Sequence, residues 1–325
     1  MSADRVRAGV IGAGSMGRNH VRAYDELATA ELAGVHDVDS ERAERVASEY
    51  ESRALSFAEL LSAADVVTVA VPTEYHFQAV RECIDAGVDV LVEKPFVEHV
   101  DRGRSLLEYA DERDVTVQVG QIERFNPAVR ELFTLLPDVE IRAVEARRLG
   151  PPPDRAIDDS VVMDLMIHDI DLLLQILDEP AEVAAASTGD GEYATATIRS
   201  ESGAIGTLTA SRVTQEKIRE LVISGADRKI EVDFIDQSIE ICRRSVPEYV
   251  RDTGSVNYRH ETVVENLVVE RHEPLKEELS SFISAVRGDE EPLVTGEDGL
   301  RAVELAQRID GIGTPAEEFE IERTA

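Results

Sequence analysis

The feature that most constrains the fold is a regular alternation of apolar runs with helix-like segments over residues 5–120. The apolar runs are almost continuous in Val, Ile and Leu, which is typical of strands buried on both faces of a parallel sheet. Strands are predicted at 6–11, 31–37, 65–71, 88–92 and 115–119, and helices at 15–27, 40–50, 75–86 and 100–113. This order predicts a doubly wound α/β domain over residues 1–122.

The pattern changes after Gly120. Several runs between residues 181 and 240 alternate apolar and polar positions and are joined by Gly and Asp turns, which favours an antiparallel or mixed sheet. The three prolines of GPPPDR, residues 150–155, predict a loop because proline cannot continue a helix or a central strand. Helices are predicted at 125–136, 161–177, 274–287 and 296–310, and a strand at 139–149. Residues 123–325 are therefore predicted to form an α+β domain, whose last helix is expected to pack back on the first domain.

The composition is strongly acidic: 66 Asp and Glu against 34 Lys and Arg give a formal charge of −32 at pH 7. The acids are spread along the whole chain, which predicts an acidic surface that repels nucleic acid and anionic membranes. Many acids, few lysines and many arginines resemble proteins of extreme halophiles, in which molar salt screens the self-repulsion. The alternative is an ordinary acidic enzyme.

Nothing in the sequence predicts a membrane span or an export signal. The most apolar run, VVTVAV at 66–71, is much shorter than the roughly 18 residues that a span needs. The chain enters RAGVIG almost at once, without the pattern of a signal peptide. Two cysteines do not make a disulfide framework. We therefore expect a cytoplasmic protein.

A glycine-rich turn follows the first predicted strand and precedes the first helix. Gly12, Gly14 and Gly17 have the G-x-G-x-x-G spacing, which allows a tight turn, close approach to a pyrophosphate and close helix–strand packing. The helix N-terminus then offers free N–H groups to phosphates. Asp37 lies at the end of the second strand, where it can accept hydrogen bonds from ribose hydroxyls. The motif predicts NAD; Arg42 leaves NADP open, and a turn without a ligand is the simpler alternative.

The segment VLVEKP, residues 90–95, places one of only four lysines at the end of a predicted buried strand. Ligands bind at the carboxyl ends of the strands of a doubly wound sheet, so Lys94 is expected near the nicotinamide end of the cofactor. Apolar walls would lower the pKa of this lysine and let it exchange a proton with a substrate hydroxyl. The alternative is a surface lysine that happens to follow a strand.

The helix predicted at 161–177 carries polar residues along one narrow stripe. These residues are Asp164, His168, Asp171, Gln175 and Asp178. The simpler interpretation is an amphipathic helix that turns a polar face to water. The functional interpretation is that a carboxylate one turn away orients the imidazole and raises its basicity, as a general base requires. No third ligand stands at a convincing spacing, so no metal site is predicted.

These segments together resemble the Gfo/Idh/MocA oxidoreductases, a family named for glucose–fructose oxidoreductase, inositol dehydrogenase and rhizopine catabolism proteins. The resemblance rests on GAGSMGRNH, VPTEYH, EKP and DLMIHDID, and on the closing EPLKEELSSFISAVRGDEEPL. It implies a Rossmann domain followed by a C-terminal domain with an open, mostly antiparallel sheet. In this family that sheet often forms the interface of a homo-oligomer, and a dimer or tetramer is implied here.

The resemblance also implies site residues. The catalytic residues of the family correspond to Lys94, Asp164 and His168. The cofactor-binding positions correspond to Gly12, Gly14, Ser15, Met16, Gly17, Asp37, Pro72, Thr73, His76, Glu93 and Lys94. Thr73 is a departure, because many members have Asn there, although Thr can also cap the following helix. Arginine could not replace Lys94, because a guanidinium stays charged and cannot exchange a proton near neutral pH.

Within the family, VGQIERFNPAV and RRLGPPPDR resemble the subgroup of nucleotide-sugar 3-dehydrogenases that act on UDP-N-acetylglucosamine. That subgroup often has His where this chain has Gln121. The substrate contacts implied are Gln121, Arg124, Asn126, Arg155 and Asp171. A local basic set could meet a diphosphate, and the alternative is ordinary ion pairing with nearby acids. This set consists of Arg124, Arg147, Arg148 and Arg155.

The predicted activity is the NAD(P)-dependent oxidation of a secondary hydroxyl of a sugar, at C3 of a nucleotide sugar such as UDP-N-acetylglucosamine. The substrate hydroxyl is expected between Lys94 and His168, with Asp164 orienting the histidine. Three alternatives stay open. These are a dehydrogenase of a free sugar or inositol, a dinucleotide-binding sugar sensor without turnover, and redox-neutral glycoside cleavage through a transient 3-keto sugar.

Overall fold

The computed structural model describes residues 5–153, 157, 159–244, 248–252, 255–259 and 262–313. The chain divides into two compact units, Met1–Phe125 with His272–Glu304 and Asn126–Arg271 with Leu305–Ala325. The chain therefore returns to the first unit after completing most of the second.

The first unit is built on a parallel sheet. Its elements in chain order are β1 (Val6–Ile11), α1 (Ser15–Glu26), β2 (Ala30–His36), α2 (Ser40–Glu49), α3 (Phe57–Ala63), β3 (Val66–Val69), α4 (His76–Asp85), β4 (Asp89–Glu93), α5 (Val100–Asp111) and β5 (Val117–Gly120). Within the described residues the strand order is β2-β1-β3-β4-β5, with every neighbouring pair parallel. The predicted doubly wound domain is confirmed.

One helix of this unit was not predicted. α3 spans only seven residues, which is too few for a helical period to emerge from the sequence. Its start is nevertheless marked by a local signal, because Ser56 and Glu59 form a reciprocal capping box. Leu60 of this helix is fully buried, and its burial stabilises the helix against the rest of the unit.

The second unit is built on a mostly antiparallel sheet. Its elements include α6 (Pro127–Leu135), β6 (Ile141–Leu149), a π-helical turn (Val162–Met166), α7 (Ile167–Ile176), β7 (Pro180–Ser187), β8 (Tyr193–Ser200), β9 (Ile205–Ser211), β10 (Ile218–Gly225), β11 (Arg228–Asp233), β12 (Ser238–Arg244), β13 (Glu248–Asp252), β14 (Ser255–Arg259) and β15 (Thr262–Leu267). As described, the main sheet has the order β15-β12-β11-β10-β6-β9-β8-β7, and β13 pairs with β14. Only β6 and β9 pair in parallel within it. The predicted α+β fold with an open sheet is confirmed.

Two further helices end the described chain, α8 (Pro274–Val286) and α9 (Gly296–Gly313). α8 packs in the core of the first unit, where Leu279 and Phe282 join Val21 and Tyr24 of α1 in one buried cluster. Burying such side chains contributes about 1.5–3 kcal/mol each. This packing attaches α8, which comes late in the sequence, to the parallel sheet of the first unit.

The predicted helix at 161–177 begins with a π-helical turn and continues as α7. Most of α7 is buried, and Asp169 and Asp171 are each only 1% exposed. Gly206 of β9 lets the helix approach, because a Cβ there would lie 2.7 Å from Leu173 Cδ1. Within the predicted polar stripe, Asp171 is therefore enclosed, whereas Asp164, His168 and Gln175 are half-buried and Asp178 is exposed.

Candidate active site

The glycine-rich loop joins the carboxyl end of β1 to α1. Gly12 has φ +97°, and a Cβ on it would lie 2.6 Å from the Ala70 carbonyl oxygen. A Cβ on Gly17 would lie 1.7 Å from the Gly12 carbonyl oxygen, so this position admits only glycine. Around Gly14, in contrast, no described atom lies within 4 Å of the Cβ position. The loop is thus tight where the protein packs and open where a pyrophosphate would approach, so its geometry fits a dinucleotide.

Asp37 connects the end of β2 to this loop. Its Oδ2 accepts a hydrogen bond of 2.7 Å from the Ala13 N–H, and its Oδ1 accepts one of 2.8 Å from the Asp39 N–H. The carboxylate therefore fixes the loop and still has lone pairs for ribose hydroxyls. Arg42 Nη1 lies 3.6 Å from Asp37 Oδ2, and the Arg42 side chain is 46% exposed. A cation thus stands beside the predicted ribose site.

The other predicted cofactor positions lie at the same edge of the sheet, where the parallel strands end. Ser15 and Met16 are exposed in the first turn of α1. Pro72 is exposed and Thr73 half-buried just after β3, where Thr73 begins a short 3₁₀ turn. These positions are accessible to a ligand at the switch point that such sheets use.

His76 is buried and contacts two loops. Its Nδ1 lies 2.9 Å from the Pro95 carbonyl oxygen and its Nε2 lies 2.8 Å from the Val71 carbonyl oxygen. Burial lowers the pKa of the imidazole, although both carbonyls and the charge of Glu93 oppose this effect. Because both ring nitrogens face protein carbonyls, His76 braces the loops after β3 and β4. Its predicted contact with the cofactor stays a prediction.

Glu93 and His20 form a buried pair directly before Lys94. His20 Nε2 lies 2.7 Å from Glu93 Oε1, and the two side chains are 0% and 12% exposed. Burial raises the pKa of the Glu93 carboxyl, but the hydrogen bond with His20 and the electrostatic interactions with His20, Lys94 and His76 outweigh burial and hold the pKa below its usual value. Glu93 is therefore a fixed negative charge behind Lys94. Lys94 itself is half-buried, so its surroundings include this charge as well as the apolar strand.

Gln121 follows β5 at the position next to Lys94 across the sheet edge, since Glu93 and Gly120 are paired in register. The Gln121 side chain is 1% exposed, and within the described part of the chain no hydrogen-bond partner reaches either atom of its amide. A buried, unsatisfied amide costs free energy unless a ligand supplies the missing bonds. Arg124, in contrast, is 7% exposed and lies 3.5 Å from Asp298 Oδ1.

The second unit holds Asp164 in the π-helical turn and His168 in the first turn of α7. Both side chains are half-buried. Turns of π-helix are found frequently at functional sites. Ser160 supports the start of this turn, because its Oγ accepts a hydrogen bond of 3.3 Å from the Met163 N–H. Arg212 Nη1 lies 3.8 Å from Asp164 Oδ2, so a cation also accompanies the carboxylate.

The remaining predicted substrate contacts lie in different surroundings. Asn126 is 2% exposed, its Oδ1 accepts a hydrogen bond of 3.1 Å from the Ala128 N–H, and its Nδ2 donates one of 3.0 Å to the Phe234 carbonyl. Its amide therefore caps α6 and anchors β11. Asp171 is buried in α7. Arg155 lies outside the described residues.

The basic set is explained largely by ion pairing. Arg148 is 4% exposed, and its Nε and Nη2 donate to the two oxygens of Asp169 at 2.9 and 2.7 Å. Arg147 Nη1 donates to Glu220 at 2.7 Å. The suggestion that both meet a diphosphate is therefore not supported, because Arg148 is enclosed and Arg147 is paired across strands.

Sequence reasoning missed three buried side chains of ionisable type: His20, Arg212 and Glu278. His20 lies within a motif that was recognised, but nothing local connects it to a residue 73 positions away. Arg212 and Glu278 are buried charged residue types, and burial is not visible in a single sequence. Among the described residues, no group of three or more His, Cys, Asp or Glu is arranged to hold a metal ion.

The fold and the glycine-rich loop define a dinucleotide-binding protein with a second α+β unit. A model of the Gfo/Idh/MocA oxidoreductase family, with an NAD-binding Rossmann fold, matches residues 6–121, and a model of the Gfo/Idh/MocA C-terminal domain matches residues 139–231. The chain is 34% identical over 310 residues to UDP-N-acetylglucosamine 3-dehydrogenase of Acidithiobacillus ferrooxidans, an alignment covering 94% of this chain and 96% of that relative. It is 27% identical over 321 residues to inositol 2-dehydrogenase of Rhizobium meliloti, covering 93% and 94%. The chain belongs to the Gfo/Idh/MocA family of oxidoreductases, as its motifs indicated.

Solved structures agree with this assignment. UDP-N-acetylglucosamine 3-dehydrogenase from Acidithiobacillus ferrooxidans superposes with a TM-score of 0.87 at 33% identity, covering 96% of this chain and 98% of that one. The WlbA dehydrogenase from Bordetella pertussis, in complex with NADH and UDP-GlcNAcA, shares the fold with a TM-score of 0.78 at 20% identity, covering 96% of each chain. None of the helices within the described residues has the length and apolarity needed to cross a bilayer.

Proposed function

We propose that this protein oxidises the C3 hydroxyl of a nucleotide sugar, with UDP-N-acetylglucosamine as the leading substrate and NAD as the cofactor. The observation that carries the proposal is the similarity to the Acidithiobacillus ferrooxidans enzyme, which spans nearly the whole of both chains at 34% identity. The inositol dehydrogenases are less similar and support a free sugar or inositol as the second candidate.

In the proposed mechanism the catalytic residues are Lys94, Asp164 and His168. His168, oriented by Asp164, accepts the proton of the substrate hydroxyl, while Lys94 holds the substrate oxygen and can share the proton. A bound dinucleotide would supply the hydride acceptor for the same carbon. The negative charge of Glu93 keeps the ammonium of Lys94 at the end of β4. Gln121 supplies an amide donor and acceptor to a polar group of the ligand.

Gly12, Gly14 and Gly17, together with the first turn of α1, would hold the pyrophosphate, and Asp37 would bind the adenosine ribose. The preference for NAD follows from the carboxylate of Asp37, which would repel a 2′-phosphate. Ser15, Met16, Pro72 and Thr73 would line the dinucleotide between these ends. Asp171 and Arg155 are proposed as further contacts of the substrate.

The acidic composition supports a halophilic, cytoplasmic setting. A formal charge of −32 without an acidic tail fits a protein that works in concentrated salt. A homo-oligomer formed through the sheet of the second unit is also proposed. In β8, buried Ala194, Ala196 and Ile198 alternate with the more exposed Tyr193, Thr195 and Thr197, so one face of this strand is available for a partner. Light scattering in molar KCl tests the oligomer, and a monomer at micromolar concentration would contradict it.

The deciding experiment is an absorbance assay for reduced nicotinamide in molar KCl. The protein is mixed with NAD and UDP-N-acetylglucosamine, with glucose, xylose and myo-inositol in parallel. A signal with the nucleotide sugar alone is expected. A signal with a free sugar instead would keep the catalytic residues and replace the substrate. Dinucleotide binding without turnover in any mixture would favour a sensor, and sugar product without net reduced nicotinamide would favour redox-neutral cleavage.

A further inference from the structure

Arg212 is a buried charged residue that none of the predicted roles uses. It follows β9 directly and its side chain is 5% exposed. A guanidinium stays charged at every physiological pH, so burying it is costly unless partners surround it. The identity of these partners therefore indicates what the residue does.

The guanidinium contacts three segments of the second unit. Its Nη2 donates a hydrogen bond of 2.5 Å to the Asp159 carbonyl, which precedes the π-helical turn. Its Nε lies 3.0 Å from Oε2 of Glu192, the residue directly before β8. Its Nη1 lies 3.8 Å from Oδ2 of Asp164, within the turn itself. Both contacts are ion pairs without hydrogen-bond geometry. One side chain thus joins a strand pair to the turn that carries a proposed catalytic carboxylate.

The backbone around Arg212 is fixed by the same strands. The Arg212 N–H donates a hydrogen bond of 2.9 Å to the Glu192 carbonyl, extending the pairing of β8 and β9 by one step. The Val161 N–H donates one of 3.0 Å to the Gly191 carbonyl, which ties the start of the π-helical turn to the same strand ends. The position of the guanidinium is therefore set by the sheet, while Asp164 belongs to a turn whose geometry is less regular than that of an α-helix.

We propose that Arg212 is a positioning residue for Asp164: it holds the carboxylate in the orientation that His168 requires, and it offsets the carboxylate's charge during the reaction. This inference rests on the proposed roles of Asp164 and His168. Glu192 neutralises the guanidinium at the closer distance, so Arg212 can present Nη1 to Asp164 without leaving an unbalanced buried charge. The competing interpretation is that Arg212 only fastens the loop before the turn, through the Asp159 carbonyl.

The first test compares Arg212→Met and Arg212→Lys with a matched control, Arg142→Met, in steady-state kinetics. Arg142 lies on β6 of the same sheet but is 66% exposed and pairs with the exposed Glu140. Arg212→Met is expected to lower kcat by about tenfold to a hundredfold, as a misplaced catalytic group does, without changing dinucleotide affinity. Arg212→Lys should recover part of the loss, since it restores the charge, and Arg142→Met should match the wild type. A kcat for Arg212→Met equal to that of the wild type would overturn the proposal.

The second test is a double-mutant cycle with Asp164→Asn. If Arg212 acts through Asp164, the double variant should be no slower than Asp164→Asn alone. If the two losses multiply, Arg212 acts by another route and the proposal is wrong. A cycle on the urea midpoint of unfolding, run without substrate, should likewise show that Arg212→Met shifts the midpoint less when Asp164 is already Asn.

This unfolding cycle separates the inference from the proposed function. If the wild type oxidises a different sugar, the kinetic cycle is run with that sugar. If it oxidises none, the proposed activity fails, and the unfolding cycle still decides whether Arg212 and Asp164 are coupled. Should Arg212→Met not fold, Arg212→Lys takes its place in both cycles, and additive effects would overturn the inference.

Discussion

Lys94 is the residue on which the proposed chemistry depends most directly. It stands at the end of β4, half-buried beside the fixed charge of Glu93. Lys94→Ala and Lys94→Arg are both expected to lower kcat by about a hundredfold to ten-thousandfold, because an arginine keeps the charge but cannot share the proton. The nucleotide-sugar assay measures turnover and NADH fluorescence measures cofactor binding, so a loss of catalysis can be distinguished from a loss of cofactor. Lys229→Ala is the control, since Lys229 lies on β11 of the second unit and pairs there with Glu231. A Lys94→Arg variant as active as the wild type would contradict the proposed role.

Glu278 gives the stability of the fold a dependence on pH. It is 1% exposed in α8, and no described residue donates a hydrogen bond to its carboxyl oxygens. Burial, and then the negative charge of Glu93, raise its pKa well above the usual value. The folded protein therefore keeps Glu278 protonated where the unfolded chain ionises it. The contribution of Glu278 to stability is fully present below its pKa in the unfolded chain, about 4.3. It is lost as the pH rises toward the pKa of Glu278 in the folded protein.

Glu278→Gln should remove this loss, because an amide of similar shape does not ionise. Relative to the variant, the wild type is expected to lose about 1.4 kcal/mol of unfolding free energy per pH unit above pH ~4.3, until the pH reaches the folded pKa. Urea unfolding across a pH series at constant KCl measures the difference. Glu277→Gln, on the same helix but 37% exposed, is the control. Parallel curves for wild type and Glu278→Gln would show that Glu278 is ionised or hydrated in the folded state.

Asp37 and Arg42 are the residues proposed to set the choice between NAD and NADP. Removing the carboxylate removes its repulsion of a 2′-phosphate and leaves Arg42 to attract it. Asp37→Ser is expected to shift the ratio of kcat/KM values from NAD toward NADP by about tenfold or more, equivalent to about 1.4 kcal/mol. Glu41→Ser removes the same charge from an exposed position on α2 and should leave the ratio unchanged. An unchanged ratio in Asp37→Ser would place the ribose elsewhere.

At the scale of elements, the glycine-rich loop separates packing from ligand binding. A Cβ at Gly17 would overlap the Gly12 carbonyl, whereas a Cβ at Gly14 would enter open space. Gly17→Ala is therefore expected to lower both the unfolding midpoint and dinucleotide affinity. Gly14→Ala should lower affinity for NADH by about tenfold or more, since the methyl group takes the space of the pyrophosphate. Its unfolding free energy should change by less than about 0.5 kcal/mol. Thermal unfolding and NADH titration of the pair test this, and equal NADH affinity in Gly14→Ala and wild type would contradict it.

Local sequence patterns predicted most of the helices and strands, but not all of them. Strands with continuous apolar residues and helices with a clear period were predicted within a few residues of their observed bounds. α3 was missed because seven residues are too short to show a period. The π-helical turn was predicted as ordinary helix, because its apolar residues fit either geometry. The attachment of α8 to the first unit depends on which core accepts Leu279 and Phe282, and only the folded chain makes that choice.

At the scale of the whole molecule, the acidic charge predicts a dependence on salt. With 66 acids against 34 bases, self-repulsion opposes the compact state in dilute buffer. The thermal midpoint is expected to rise by several degrees between about 0.1 M and about 1 M KCl, across which the Debye length falls from about 10 Å to about 3 Å. NaCl should act equally, whereas an uncharged osmolyte at the same osmolality should not reproduce the salt dependence. A midpoint that is independent of salt would contradict the proposed halophilic adaptation.

The two fold classes, the glycine-rich loop, the family and the candidates Lys94, Asp164 and His168 could all be predicted from the amino-acid sequence. These features are local: they depend on periodicity, on the spacing of glycines, and on short motifs. Three pairings became visible in the folded chain alone: His20 with Glu93, Arg212 with Asp164, and the enclosed Arg148 with Asp169. Such pairs join residues far apart in the chain, and their strength comes from burial in a core that no single segment forms. A charged residue therefore looks the same in the sequence whether it will be solvated, paired or held protonated, and folding alone distinguishes these outcomes.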